Sequence, residues 1–200
     1  MQRICVVGAQ NTGKTTFIKD IISEFPKYTT PTFTYRDVIK ADGGQLLEQI
    51  NENTNIHAQT ILFNAVCREF DSATSEYVIF DRSPMDAVAY TYWPIVYKAD
   101  KTDITVEAYE KMRSTAEEYM SRYDLIIYIP VVPEIKIEND LLRSTSPEYR
   151  LQMDEIFKDL FLLPLDSPAF RKYGYKVIMI SGTREERVRK FKFICEGYPD

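Results

Sequence analysis

The chain has 200 residues, a formal net charge of -5, 44% hydrophobic and 28% charged residues. This is the balance of one folded domain with a sizeable core, and it excludes a disordered chain and a broad electrostatic grip on nucleic acid. Three widely spaced cysteines, no CxxC pair and a single histidine, His57, exclude an evident zinc site and suggest reduced, buried thiols.

Ile4-Cys5-Val6-Val7 is a short, unbroken apolar run that reads as a buried strand. It runs into Gly8-Ala9-Gln10-Asn11-Thr12-Gly13-Lys14-Thr15, which fits the phosphate-binding pattern GxxxxGK[ST]. Thr16 to Phe25 follows as a helix with Phe17, Ile18, Ile21, Ile22 and Phe25 at helical spacing. Strand, loop and helix together are the context this motif requires. Glycines let the backbone approach a polyphosphate, and amide hydrogens at the helix N-terminus point at it. Lys14 would reach the β and γ phosphates, and the Thr15 hydroxyl would hold Mg2+. The alternative is a glycine-rich turn capped by Thr15.

The segment from Lys27 to Tyr35 is rich in β-branched and aromatic residues, but Pro31 makes it a short or edge strand at best. Arg36 and Asp37 follow where such a strand would meet a ligand crevice. Asp42-Gly43-Gly44 is a turn. Ile61, Leu62, Ala65, Val66 and Phe70 recur at helical spacing, and Tyr77 to Phe80 reads as a second buried strand ending at Asp81. Pro84 suits the first turn of the next helix, which Pro94 should kink or end. A further helix is expected from about Thr105 to Arg122. Leu125 to Ile129 is a third apolar strand. After a polar stretch, Pro147 opens a helix with Met153, Ile156, Phe157, Leu160 and Phe161 inward, which Pro164 and Pro168 should stop. Tyr175 to Ile180 is the fourth continuous apolar strand, and Ser181-Gly182-Thr183 caps a last helix carrying Val188, Phe191 and Cys195. Unbroken apolar strands alternating with helices mean a parallel sheet covered on both faces. Its ligands sit beyond the carboxyl ends of the strands.

The loop alone does not choose between GTPase, ATPase motor and kinase. At the end of the second strand, Asp81 can hold a magnesium shell, and its neighbour is Arg82 rather than a second carboxylate. A guanidinium there would clamp a phosphoryl group or the phosphate of an acceptor; the other account is an Asp-Arg pair capping the Pro84 helix. Two GTPase-like patterns are decoys. Asp42 to Gln45 is one residue short of DxxGQ, and Lys98-Ala99-Asp100 lacks the Asn of NKxD. Arg143 and Arg150 lie two helical turns apart and could share one face of a mobile segment if the Pro147 helix starts early. They could equally be a solvated charged face.

The run Asp81 to Tyr90, in which Asp-Arg is followed by Ala89-Tyr90, resembles the thymidylate kinase signature. Asp81-Arg82-Ser83 also resembles the Glu-Arg-Ser motif of deoxynucleoside kinases. Residues 142–150 and 180–187 look like P-loop kinases typified by the nicotinamide riboside kinase domain, within the AAA family. The resemblance covers nearly the whole chain, with the phosphate loop and the Asp-Arg motif its specific parts. It implies an α/β P-loop NTPase three-layer sandwich: about five parallel strands, helices on both faces, one domain over 1–200 and a small lid near 131–150.

Carried over by position, residues Gly8 to Thr16 would bind ATP, Thr15 and Asp81 would hold Mg2+, and Thr183 and Arg184 would lie beside adenine. Lys14, Asp81, Arg82, Arg143 and Arg150 would serve phosphoryl transfer. Arg36, Asp37, Gln59, Arg82 and Tyr90 would face the acceptor. Asp37 would act as general base or else start a helix, and Gln59 would read a base edge or else face solvent. The sequence departs from the thymidylate kinase pattern at Ser83, where that pattern has Tyr or Phe, and at Tyr35-Arg36-Asp37, where it has Arg-Glu-Pro.

The expected activity is transfer of the ATP γ-phosphate to a nucleoside or nucleoside monophosphate. Alternatives are a kinase of nucleic-acid ends or modified DNA bases, which the net charge does not indicate, and a non-kinase ATP-dependent switch. No apolar run approaches membrane-spanning length, and a core strand starts within three residues of Met1, so no membrane segment or signal peptide is expected. The expected location is cytoplasmic, and a homodimer is left open.

Overall fold

The computed structural model describes residues 2–32, 34–41, 55–132 and 146–196. Four apolar runs form one parallel sheet: β1 (Gln2–Val7), β2 (Tyr77–Asp81), β3 (Leu125–Tyr128) and β4 (Val177–Met179), in the order β2-β1-β3-β4. β1 is central, pairing Val6 with Asp81 on one side and with Ile127 on the other. The segment read as a short edge strand contributes a single bridge, Thr29 to Val78, outside β2. That bridge occupies the fifth position of the expected sheet. Pro31 lies two residues on and has no N–H to extend the ladder.

Alternation along the strands divides each apolar run between two cores. Ile4, Val6, Ile79, Ile127 and Ile129 face α1 (Lys14–Glu24) and α8 (Arg184–Glu196), packing with Phe17, Ile18, Ile21 and Phe191. Cys5, Val7, Phe80, Ile126 and Tyr128 face the other way. They pack against α3 (Ile56–Ser72), α4 (Pro84–Tyr97), α5 (Val106–Ser121) and α6 (Pro147–Phe161). A short α2 (Tyr35–Ala41) packs on α3. This is the expected three-layer α/β sandwich. Among the described residues no helix is long and apolar enough to cross a membrane.

Two prolines, Pro94 and Pro168, act differently from a simple reading of them as breakers, and Pro147 opens a helix as expected. Pro94 lies inside α4, buried, and the helix continues to Tyr97. Only the bond to the carbonyl one turn back is lost, and the helix resumes with the Lys98 N–H donating to the Pro94 carbonyl at 2.9 Å. Lys98 to Asp100, the decoy pattern, is therefore a helix end and turn. Pro168 opens a short helix, α7 (Pro168–Lys172), where the Ser167 hydroxyl accepts from the Phe170 N–H. Pro147 likewise opens α6 behind a Ser146 cap. Because α6 starts at Pro147, it carries Arg150, while Arg143 lies outside the described residues. The decoy at 42–45 also lies outside them.

β4 is shorter than the apolar run that encodes it. A 3-10 turn, Gly174–Lys176, takes its first residues, and Tyr175 and Met179 are exposed because β4 is the sheet edge. The α8 side of the core is closed by Phe191, fully buried against the rings of Phe17, Phe25 and Tyr28. Replacing Phe191 with Ala is expected to cost about 3–5 kcal/mol of unfolding free energy, measured by urea titration. A loss below about 1 kcal/mol would show that α8 does not depend on this anchor.

Candidate active site

Gly8 follows β1 directly, and the chain must turn there beneath the end of β3. A Cβ on Gly8 would lie 2.4 Å from the Ile129 carbonyl oxygen, and its φ of +140° is left to glycine. Asn11 (φ 56°) and Gly13 (φ 84°) are also left-handed, and Gly13 caps α1. Asparagine is among the few residues other than glycine that tolerate this. Such handed turns at a helix start make an anion-binding concavity of backbone N–H groups.

The side chains of the loop are tied in. The Lys14 ammonium, buried, donates to the carbonyls of Gly8 at 2.8 Å and Ala9 at 2.6 Å. The Thr12 hydroxyl donates to Ala9 O at 3.1 Å. Gln10 Oε1 accepts from the Tyr90 hydroxyl of α4 at 3.3 Å, which joins the loop to that helix. Thr16 is exposed on α1.

Two oxygens for a hard cation meet where β2 ends. The Thr15 hydroxyl donates to Asp81 Oδ2 at 2.7 Å. Among the described residues no cluster of three or more His, Cys, Asp or Glu could hold a metal alone. A hydroxyl and one carboxylate beside a phosphate loop suit Mg2+, which keeps several waters and takes its other ligands from phosphate. The residues present therefore fit that ion.

Arg82 sits next, at φ 103°, its N–H bonded to Val6 O at 3.1 Å. Its guanidinium lies between the rings of Tyr35 (5.2 Å) and Tyr90 (5.1 Å), a double cation–π contact. Burial works against its charge, yet Tyr35, Tyr90, Asp86 and Asp81 outweigh that and hold its pKa above the ordinary value. A left-handed arginine is a strained conformation of the kind found at functional sites.

The other expected site residues are placed as follows. Asp37 is exposed at the start of α2, where Oδ2 accepts from the Thr34 N–H at 2.8 Å and the Thr34 hydroxyl at 3.0 Å. Arg36 is on the same helix, with its side chain outside the described residues. Gln59 is fully buried on α3, not solvent-facing as its alternative account had it. Thr183 caps α8 reciprocally with Glu186, and Arg184 is exposed and paired with Asp20 of α1. Of the lid, residues 133–145 lie outside the described ones. Residues from 147 onward form part of α6, fastened to the end of β3 through Asp154, which accepts from the Tyr128 hydroxyl and the Val131 N–H. Arg150 is buried and donates through Nη2 to Asn11 O at 3.1 Å.

A family model described as an AAA domain matches residues 3–187. The chain belongs to this AAA-domain family. Among solved structures, its P-loop fold is similar to deoxyadenosine kinase from M. mycoides with dCMP and dCDP bound. That match has 13% identity and a TM-score of 0.68, and covers 98% of each chain. It is also similar to thymidylate kinase from Candida albicans, at 12% identity and a TM-score of 0.62, over 98% of this chain and 91% of that one. The NadR protein in complex with NR matches at 16% identity and a TM-score of 0.65, over 99% of this chain and 52% of that chain. This chain thus spans about half the length of NadR. No curated protein matches it.

Sequence reasoning missed two site residues of this AAA domain. Arg187, on α8, reaches the phosphate loop across the fold. Asp86, 1% exposed in the first turn of α4, accepts from the Ser83 N–H (2.8 Å) and hydroxyl (2.9 Å) through Oδ2. Its Oδ1 is buried and has no hydrogen-bond partner among the described residues. The Ser83-x-x-Asp86 spacing of a capping box was its only signal. Desolvation pushes the Asp86 carboxyl up to about 6, against the pull of Arg82, Lys14 and the Ser83 hydrogen bonds. A carboxyl raised in the folded state binds a proton more readily there than when unfolded. Its stabilising contribution is complete below about pH 4 and is lost as pH rises through about 6. The stability of the wild type relative to Asp86→Asn should therefore fall by about 2–3 kcal/mol between pH 4 and pH 7, read by urea titration across that range. A pH-independent difference would remove Asp86 from the titrating groups of the site.

Proposed function

We propose that this chain is an ATP-dependent phosphotransferase that moves the γ-phosphate of ATP to a nucleoside or nucleoside monophosphate. The observation that carries this reading is the meeting of three groups beyond β1 and β2: Lys14 in its loop, the Thr15–Asp81 contact, and Arg82 beside them. The solved relatives named for nucleoside and nucleotide substrates support the same class of acceptor.

In this reading the amides of Gly8 to Thr16 hold the triphosphate, and Lys14 exchanges the Gly8 and Ala9 carbonyls for β and γ phosphate oxygens. Thr15 and Asp81 would hold Mg2+, which supplies charge neutralisation at the phosphoryl oxygens when bound. Arg82, preorganised between Tyr35 and Tyr90, orients the acceptor phosphate or 5′ oxygen. Gln59 and Tyr90 belong to the acceptor side together with Arg36. A hydroxyl acceptor needs a base for its proton, and Asp37 takes that role after releasing the Thr34 cap. The acceptor oxygen bonds to the γ-phosphorus as the bond from that phosphorus to the β–γ bridging oxygen breaks, leaving ADP. Arg143 serves the developing charge from the lid side, as does Arg150 after releasing the Asn11 carbonyl, and Thr183 and Arg184 border adenine.

ADP release coupled to Mg–ATP is the test, with nucleosides, nucleoside monophosphates, nicotinamide riboside and oligonucleotides as acceptors. Turnover is expected with a member of the first two groups. Slow ADP release that no acceptor accelerates would sink the kinase reading. Arg82→Ala is expected to lose roughly 10²- to 10³-fold in turnover with Mg–ATP affinity retained. An equal loss of ATP affinity would move Arg82 to the donor side.

A further inference from the structure

The outer side of the phosphate loop is held by two arginines from distant parts of the chain. Arg150 of α6 donates to the Asn11 carbonyl, and Arg187 of α8 donates through Nη1 to the next carbonyl, Thr12 O, at 2.8 Å. In a peptide unit the N–H and C=O point in opposite directions. Fixing the carbonyl of Thr12 from outside therefore fixes the direction of the following amide hydrogen. The same Arg187 guanidinium donates through Nε to the Gly182 carbonyl at 2.9 Å. One planar, rigid group thus spans the phosphate loop and the loop after β4.

That second loop is itself immobilised on α8. Lys190 Nζ donates to Ser181 O at 2.8 Å, Glu186 accepts from the Thr183 N–H, and Gly182 has a φ of +111° that favours glycine. Arg187 alone among these side chains also crosses to the phosphate loop.

Its charge is the second observation. Arg187 is 4% exposed, and among the described residues burial is the single influence on its pKa, which is lowered. Arg82, Arg113 and Arg184, by contrast, each have carboxylates that hold their charge. Arg187 Nη2 is buried with no hydrogen-bond partner among the described residues. A buried cation without a counter-charge is costly, and such groups persist where an anion is supplied.

We infer that Arg187 is a positioning residue for the triphosphate: its guanidinium ties the adenine-side loop to the phosphate loop, and its charge is balanced by the polyphosphate of the bound nucleotide. This rests on the triphosphate reading of residues 8–15. Adenine seated against the 181–183 loop then acts through Arg187 on the orientation of the Thr12 peptide.

The test measures binding without an acceptor, so that it does not depend on kinase turnover. Mg–ATP and Mg–tripolyphosphate affinities are measured by calorimetry for the wild type, Arg187→Lys and Arg187→Met, with circular dichroism and apo melting recorded for each. Arg187→Met is expected to weaken both ligands about tenfold or more. Arg187→Lys keeps the charge but cannot span both carbonyls with one rigid fork. It should keep tripolyphosphate affinity within about threefold and lower the preference for ATP over tripolyphosphate several-fold. A lowered preference in a folded Arg187→Lys protein supports the tie even if Arg187→Met does not fold. Wild-type affinities and preference in Arg187→Lys, or ATP affinity within twofold of wild type in folded Arg187→Met, would overturn the inference. Wild-type protein that binds neither ligand would overturn the triphosphate reading itself, and the inference with it.

Discussion

Gly8 has to pass under the Ile129 carbonyl with no room for a Cβ, and the rest of the site is built outward from that contact. β1 lies between β2 and β3, so the loop that leaves it is walled on both sides before α1 begins. Asp81 arrives from one neighbour and meets Thr15, while Ile129 arrives from the other and donates its N–H to Val7 O. The parallel register places all these strand ends at one level, which is why a single turn can meet both.

Around that turn, hydrogen-bonded contacts come from β2 and from three helices of the sandwich. Tyr90 of α4 meets Gln10, Arg150 of α6 meets Asn11, Arg187 of α8 meets Thr12, and β2 supplies Asp81. A loop held in this way is preorganised, so ligand binding spends less on ordering it. The two arginine contacts are buried and the other two half-buried, which raises their strength but makes each unfilled donor or acceptor costly. Asp86 Oδ1 and Arg187 Nη2 are two such atoms, and both flank the phosphate loop's surroundings rather than the apolar cores.

The fold was largely legible because its signals are local. Apolar runs of four to six residues, with helical spacing between them, identified every strand of the sheet and the helices α1, α3, α4, α5, α6 and α8. Boundaries were less legible at prolines, since a missing N–H has different effects at a first turn, as at Pro168, and inside a packed helix, as at Pro94. The run from Tyr175 to Ile180 has the pattern of one continuous strand, but at the sheet edge only Val177 to Met179 pair. Asp37 illustrates a similar limit: the same carboxylate can cap a helix or face a crevice, and here it caps α2.

By itself the sequence determined the phosphate loop, the parallel α/β architecture and the Asp81-Arg82 pair. Each of these depends on residues adjacent in the chain or on a short-range period. Only the tertiary structure decided that Gln59 is buried, that Asp86 is desolvated beside two cations, and that Arg150 and Arg187 converge on successive carbonyls of the loop. Those facts depend on which helix face meets the end of the sheet. That is settled by packing among segments more than a hundred residues apart in sequence.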